Sequence, residues 1–203
     1  DAELGEIVNG TADGRRDDQQ ITFFKSVGMV VLNSVGGAMG ALYGTFFLRM
    51  SQESVDKQEL NLNDMVRNLQ AAEKGILDIG QAKPGDKTML DTLSPAVRSL
   101  EKSEEGGKLL PEAMATFEQA AKEGMESTKD MLAKTGRASR LGERSRGHLD
   151  PGATSCYLLL NAFAESMIQP ACFEHVVTTL SRPSGHADGR HGSRPPILPR
   201  STH

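Results

Sequence analysis

Apolar side chains at Phe23, Phe24, Val27, Val30, Val31 and Leu32 recur at mixed spacings of three and four, which predicts a helix from Ile21 buried on much of its surface. It stops at Val35-Gly36-Gly37, where helix propensity is weakest. A second helix is predicted from about Met39 through Leu42, Phe46 and Met50 toward Ser51. A third spans Leu62 to Ile79, with Leu62, Val66, Leu69, Ala72, Ile76 and Ile79 on one face, Asn61 or Asn63 as cap and Gly80 as its end. The fourth starts near Thr88 with a stripe of Met89, Leu93, Val97 and Leu100, and Pro95 implies a kink or an adjusted turn. A charged link, Glu101 to Lys108, follows. The fifth opens at Pro111 and continues to about Leu132 along Leu110, Met114, Phe117, Ala121, Thr128 and Leu132. The sixth runs from Pro151-Gly152 through Leu158, Leu159 and Phe163 to about Met167. No strand alternation survives for more than a few residues, so the chain reads as all-α, an antiparallel helix bundle.

The two ends read differently. Asp1 to Gln20 carries turn formers and charges without an apolar stripe, which predicts loop. Ser181 to His203 mixes four prolines with four arginines among Gly, Ser and His, which predicts a disordered tail. Between them, Ser26 to Leu48 holds no charged side chain and is about as long as the roughly 20 residues that cross a bilayer. Gly36, Gly40 and Gly44 even repeat at the spacing of closely packed membrane helices. Asn33, Ser34 and the Gly36-Gly37 pair in its middle favour two buried helix segments instead.

Composition narrows the function. The 203 residues carry 23 basic and 27 acidic side chains, a net charge of -4, so no general positive field gathers a nucleic-acid backbone. Aromatics are 4% with no Trp, which leaves few platforms for stacking bases. Cys156 and Cys172 show no zinc spacing, and the first residues lack the apolar stretch of a secretory signal. A reduced, cytoplasmic protein is the expectation.

Candidate chemistry lies in three connections rich in glycine or proline: Ser34 to Gly40, Lys83 to Met89, and Gly136 through Ala153. Glycines before a helix let backbone N–H groups converge on an anion, and the first helical turn adds partial positive charge. None has the spacing of a P-loop or a dinucleotide fingerprint. For the first, close helix packing through glycine is an equal alternative. In the second, Asp86 is an ordinary N-cap candidate. In the third, Arg137, Arg144 and Arg146 with His148 form either a phosphate clamp beside Asp150 or a solvated basic loop.

Taken together, GDKTMLDTLSPAV (Gly85 to Val97), SVGGAMGALYGTFF (Ser34 to Phe47) and GRASRLGERSRGHLDPGATS (Gly136 to Ser155) resemble the nucleotide-binding L subunit of phosphotransferase-system-dependent dihydroxyacetone kinases. The C-terminal domain of ATP-dependent dihydroxyacetone kinases shares the first two patterns. The likeness covers about Lys25 to Met167. It implies a barrel of eight antiparallel helices, here without the first, with ADP held at one end as a bound coenzyme. A phosphohistidine protein, the M subunit, recharges it to ATP, and the phosphoryl group passes to dihydroxyacetone on the partner K subunit, with Mg2+ neutralising charge.

Residue by residue, the resemblance puts Ala38 and Met39 against the nucleotide, Met39 in place of a serine. It puts Gly80 and Met89 at the adenine, Arg137 at the phosphates, and Asp150, Pro151 and Gly152 in the element that closes the site. Arg140 and Arg146 stand where the family usually has Tyr and Ile. The family's metal loop, D-x4-D-x-D-H-G, is matched by Asp1 and Glu6 at its first two ligand positions, while Val8 and Asn9 replace the third Asp and the His. Family character fades over Ile7 to Gln20 and again from Ala171. A truncated, locally altered reading frame at both ends is therefore expected, with residues 1–24 and 171–203 divergent around a nucleotide-binding domain at 25–170. An impaired nucleotide-binding protein that contacts a transcription regulator is the alternative.

Overall fold

The computed structural model describes residues 19–54 and 60–168. They form α1 (Gln19–Ser34), α2 (Gly37–Glu53), α3 (Leu62–Gly80), α4 (Leu90–Glu105), α5 (Leu110–Ser127) and α6 (Pro151–Ile168). Two 3₁₀ segments, Thr128–Asp130 and Arg137–Ser145, lie between α5 and α6. Among the described residues there is no strand, and the all-α expectation is borne out. Each helix packs on the next in sequence, and α4 also packs on α6. The tail predicted at Ser181–His203 and the candidate metal ligands Asp1 and Glu6 lie outside the described residues. So does the predicted loop at 1–20, except that Gln19 and Gln20 open α1.

Local chemistry accounts for most helix ends. Asn61 Oδ1 accepts from the Asp64 N–H at 2.9 Å while Asp64 Oδ2 accepts from the Asn61 N–H at 3.3 Å, a reciprocal cap that starts α3. The other end of α3 falls one residue later than the glycine suggested: Gln81, at φ 50°, takes the left-handed turn. The predicted link at Glu101–Lys108 is mostly helix, because α4 continues to Glu105. Leu100 is fully buried there, and α3 reaches across with Gln70 to Glu101 (2.6 Å) and Asn63 to Glu104 (3.1 Å). Conversely, α5 stops at Ser127 rather than Leu132, because Thr128 turns its hydroxyl back onto the Met125 carbonyl and opens a 3₁₀ turn.

The core joins α2 to α6. Phe46, Met50, Met65, Leu69, Ile76, Leu93, Leu100, Met114, Phe117 and Leu160 are all essentially buried, each stabilising by about 1.5–3 kcal/mol relative to exposure. The predicted stripes of α3, α4 and α5 point inward, although Ile79 at the end of α3 is exposed. Helix α1 departs from expectation. Phe24 is buried, but Phe23, Val30 and Leu32 are exposed, since α1 packs chiefly on the one neighbour α2.

That packing settles what two of the repeated glycines do. A Cβ on Gly44 would lie 2.3 Å from Leu32 Cγ, and one on Gly40 would lie 1.8 Å from the Val35 carbonyl oxygen. Both serve the α1–α2 approach, so the packing alternative holds for them. The uncharged run from Ser26 to Leu48 is two helices broken after Ser34, and no helix among the described residues is long and apolar enough to cross a membrane.

Candidate functional site

Alternating helix direction gathers the starts of α2, α4 and α6 and the ends of α3 and α5 at one end of the bundle. Tyr43 Oη and Ser155 Oγ, 2.8 Å apart, join α2 to α6. Gly80 lies against Leu42, Gly152 against Met89, and the Asp150 N–H donates to Thr128 Oγ1 at 3.0 Å. The predicted residues Gly80, Met89, Asp150, Pro151 and Gly152, together with Ala38 and Met39 at the start of α2, therefore share this end.

The connection before α4 is shaped by carboxylates. Asp86 Oδ2 accepts the Lys83 N–H at 3.0 Å, and Asp86 Oδ1 pairs with Lys134 Nζ at 3.2 Å. The backbone bond from Lys83 is the main reason the Asp86 carboxyl is held below the usual carboxylate range, with Lys134 adding to it. Asp86 thus closes its own loop and does not cap α4. Asp91 reaches back from the first turn to accept the N–H groups of Thr88 (2.7 Å) and Gly85, and Thr88 Oγ1 accepts the Leu90 N–H at 3.2 Å. Helix α4 starts at Leu90, two residues after the expected Thr88.

Lys87 stands at the centre. It is 4% exposed, its backbone is left-handed at φ 62°, and its Nζ donates to the Met131 carbonyl (3.2 Å) and to the Ser145 carbonyl. Ser145 Oγ in turn accepts the Ala133 N–H (3.1 Å) and donates to the Gly142 carbonyl (2.7 Å). The Gly147 N–H donates to the Lys129 carbonyl at 2.8 Å. Asp150 Oδ2 accepts the Ala153 N–H at 2.8 Å and caps α6. Burial raises the Asp150 carboxyl above its ordinary value, against the lowering effect of the Ala153 and Gly152 N–H groups and of Lys87.

Two features suit an anion. Helix α2 follows Gly36 as its N-cap residue with no side-chain cap, so the N–H groups of its first turn, including Ala38 and Met39, are not taken by a capping side chain. Arg137 follows Gly136 (φ 67°), is exposed, and makes no ion pair among the described residues. Arg146 pairs instead with Glu143 at 2.9 Å, and His148 is exposed. A separate cavity of about 20 Å³ between α2, α3 and α6 is lined by Phe46, Phe47, Met50, Leu69, Leu159, Leu160 and Phe163, and it has no polar partner for a phosphate. No group of three or more His, Cys, Asp or Glu among the described residues could hold a metal ion.

An all-helical domain with glycine-bearing loops stitched together at one end is the class these features define. The DAK2 domain family matches residues 4–165, and the chain belongs to it. Relatives include the ADP-binding subunit DhaL of the PEP-dependent dihydroxyacetone kinase of Escherichia coli (strain K12), 43% identical over 148 residues, 72% of this chain and 70% of that protein. The ADP-binding subunit DhaL of PEP-dependent dihydroxyacetone kinase 2 of Listeria innocua is 38% identical over 146 residues, 72% of this chain and 67% of that protein. A probable dihydroxyacetone kinase of Dictyostelium discoideum is 34% identical over 172 residues, 79% of this chain but 26% of that longer protein. The resemblance to the L subunit is borne out.

Sequence reasoning missed Lys87, Asp91, Thr128, Ser145 and the Tyr43–Ser155 pair. The one signal available was the pair Gly85-Asp86 ahead of a charged residue, which reads equally as an exposed turn.

Proposed function

We propose that residues 25–170 bind ADP at this end of the bundle and serve as the nucleotide-binding subunit of a dihydroxyacetone kinase. The observation that carries the reading is the convergence of the three glycine-bearing connections on one end, beside an uncapped helix start. In this reading the α2 N–H groups at Ala38 and Met39 and the Arg137 guanidinium hold the phosphates. Met89 and Gly80 line the adenine, and Asp150, Pro151 and Gly152 close the site. The nucleotide, recharged by a phosphohistidine M subunit of the sugar phosphotransferase system, hands its phosphoryl group to dihydroxyacetone on a K subunit. The setting of this reading is the cytoplasm.

Mg2+ belongs to the same reading, yet the carboxylates aligned with the family's metal loop, Asp1 and Glu6, lie outside the described residues. Val8 and Asn9 in place of the third Asp and the His favour a second reading, a nucleotide-binding protein that acts on a transcription regulator without turnover.

Calorimetry with ADP and Mg2+, followed by a phosphoryl-transfer assay with K and M subunits, separates the two. Binding with turnover supports the kinase subunit, binding without turnover supports the regulator, and no binding refutes both. Arg137→Ala is expected to weaken ADP binding by about 10–100-fold, the worth of a charge-assisted contact. The same change at an exposed position costs less than about 0.5 kcal/mol of stability, read by urea denaturation. Equal losses in both would make Arg137 structural.

A further inference from the structure

A lysine buried at a left-handed backbone position is costly twice. The ammonium leaves water, and a non-glycine residue at φ 62° carries strain of order 1 kcal/mol. Such costs persist only where the surroundings hold the residue in place. Here they do: the Nζ donates to the Met131 carbonyl at 3.2 Å and to the Ser145 carbonyl, residues 44 and 58 positions away in sequence. Met131 ends the turn that follows α5, and Ser145 ends the Arg137–Ser145 segment. Lys87 itself belongs to the connection before α4.

We propose that Lys87 is the positioning residue of this end of the bundle: its ammonium clamps two carbonyls from different parts of the α5–α6 link and so holds that link and the connection before α4 as one rigid surface around Asp150. The inference rests on the ADP reading for what the surface binds. The clamp itself is geometric. Lys134, mostly exposed, ties the same connections from outside through the Gly85 carbonyl (2.9 Å) and Asp86, but it does not enter the interior. Lys87 also places positive charge toward Asp150, whose other ionisable neighbours are Asp91 and Tyr43.

The test compares the full chain with Lys87→Met, which keeps the length of the side chain and removes the ammonium. ADP affinity is expected to fall by about tenfold or more, because charge-assisted hydrogen bonds that order the loops are lost. A second readout separates positioning of Asp150 from plain support. Without Lys87 the Asp150 carboxyl rises further above its unfolded value, and a carboxyl raised on folding costs the folded state stability as pH climbs through that window. The destabilisation by Lys87→Met therefore grows from about pH 4 toward neutrality. Lys134→Met, whose partner Asp86 is held below the ordinary carboxylate range, loses its pH-dependent part below about pH 4 and stays flat from there toward neutrality. Loss of carbonyl contacts alone would be independent of pH, and that result overturns the role toward Asp150.

A measurement on the unaltered chain stands if the variant does not fold. In ¹⁵N-lysine spectra the Lys87 ammonium protons should exchange with water far more slowly than those of exposed lysines; equal rates overturn the clamp. If the unaltered chain fails to bind ADP, the functional reading fails, while ammonium exchange and the pH-dependent stability still judge the clamp. If it binds and Lys87→Met binds equally well, the clamp fails and the functional reading stands.

Discussion

Tyr43 shows how a single hydroxyl can connect two helices at the mouth. Its partly buried ring packs against the buried core, and its Oη meets Ser155 Oγ at 2.8 Å, while burial raises the phenol above its ordinary range. Ser155 Oγ has a second partner in the Gly152 carbonyl at 3.0 Å, so removing the phenol does not strand it. Tyr43→Phe should therefore cost about 0.5–1.5 kcal/mol by urea denaturation, the ordinary worth of a hydrogen bond. A larger loss would mean that the pair carries the α2–α6 junction alone. Cys156, next in sequence and fully buried, has its thiol pushed up to about 12, which makes it a packing residue and not a nucleophile. Asn68, also fully buried, donates to Ser54 Oγ at 3.0 Å but leaves its Oδ1 unpartnered among the described residues, and nothing in the structure explains it.

Among the elements, α4 and α5 approach closely at Gly124, and Pro95 is part of the reason. Proline has no N–H, so the Asp91 carbonyl one turn earlier lacks its usual partner within the helix. Gly124 of α5 packs against that spot: a Cβ there would stand 2.3 Å from the Asp91 oxygen and 2.8 Å from Pro95 Cγ. Gly124→Ala is expected to cost about 1–3 kcal/mol through forced separation of the two helices. Gly36→Ala meets nothing within 4 Å at an ordinary φ of -73° and should change stability by less than about 0.5 kcal/mol. Urea curves for the two variants side by side check the contrast, and similar losses would remove the packing argument. The helices were legible because the stripe of α3 and the spacing of Met114, Phe117 and Ala121 in α5 repeat at 3.6 residues. Their ends were less so, since α5 stops where Thr128 turns back onto Met125 and takes the Asp150 N–H, and the last turn of α4 is held from α3 by Asn63 on Glu104.

For the whole molecule, the loops at 82–89, 128–134 and 136–150 form one hydrogen-bonded body at the end where α2, α4 and α6 begin. A nucleotide seated there stabilises the folded state by mass action. With ADP at a hundred times its Kd the gain is about 2.7 kcal/mol, seen as a rise in Tm. Amide-exchange protection should then concentrate in these loops and in the first turn of α2. Protection confined to the residues around the apolar cavity, such as Phe47 and Leu159, would place the ligand elsewhere.

Periodicity and cap chemistry are written in short stretches of chain. That is why the sequence by itself determined the all-α class, the order of the helices and the glycine-bearing character of the connections. The family motifs marked Ala38, Met39, Gly80, Met89 and Asp150–Gly152, and they share one end because antiparallel helices return there. The assignments that failed are long-range ones. Asp86 reads as a helix cap until its carboxylate is seen to turn back on Lys83 and pair with Lys134, and α1 reads as buried until its single main neighbour is known, while Lys87 carries no assignment at all. Its two partners lie 44 and 58 residues away, so no local pattern announces them. Only the tertiary structure decided that this ammonium sits inside, because burial and pairing depend on which loops the packed helices bring together.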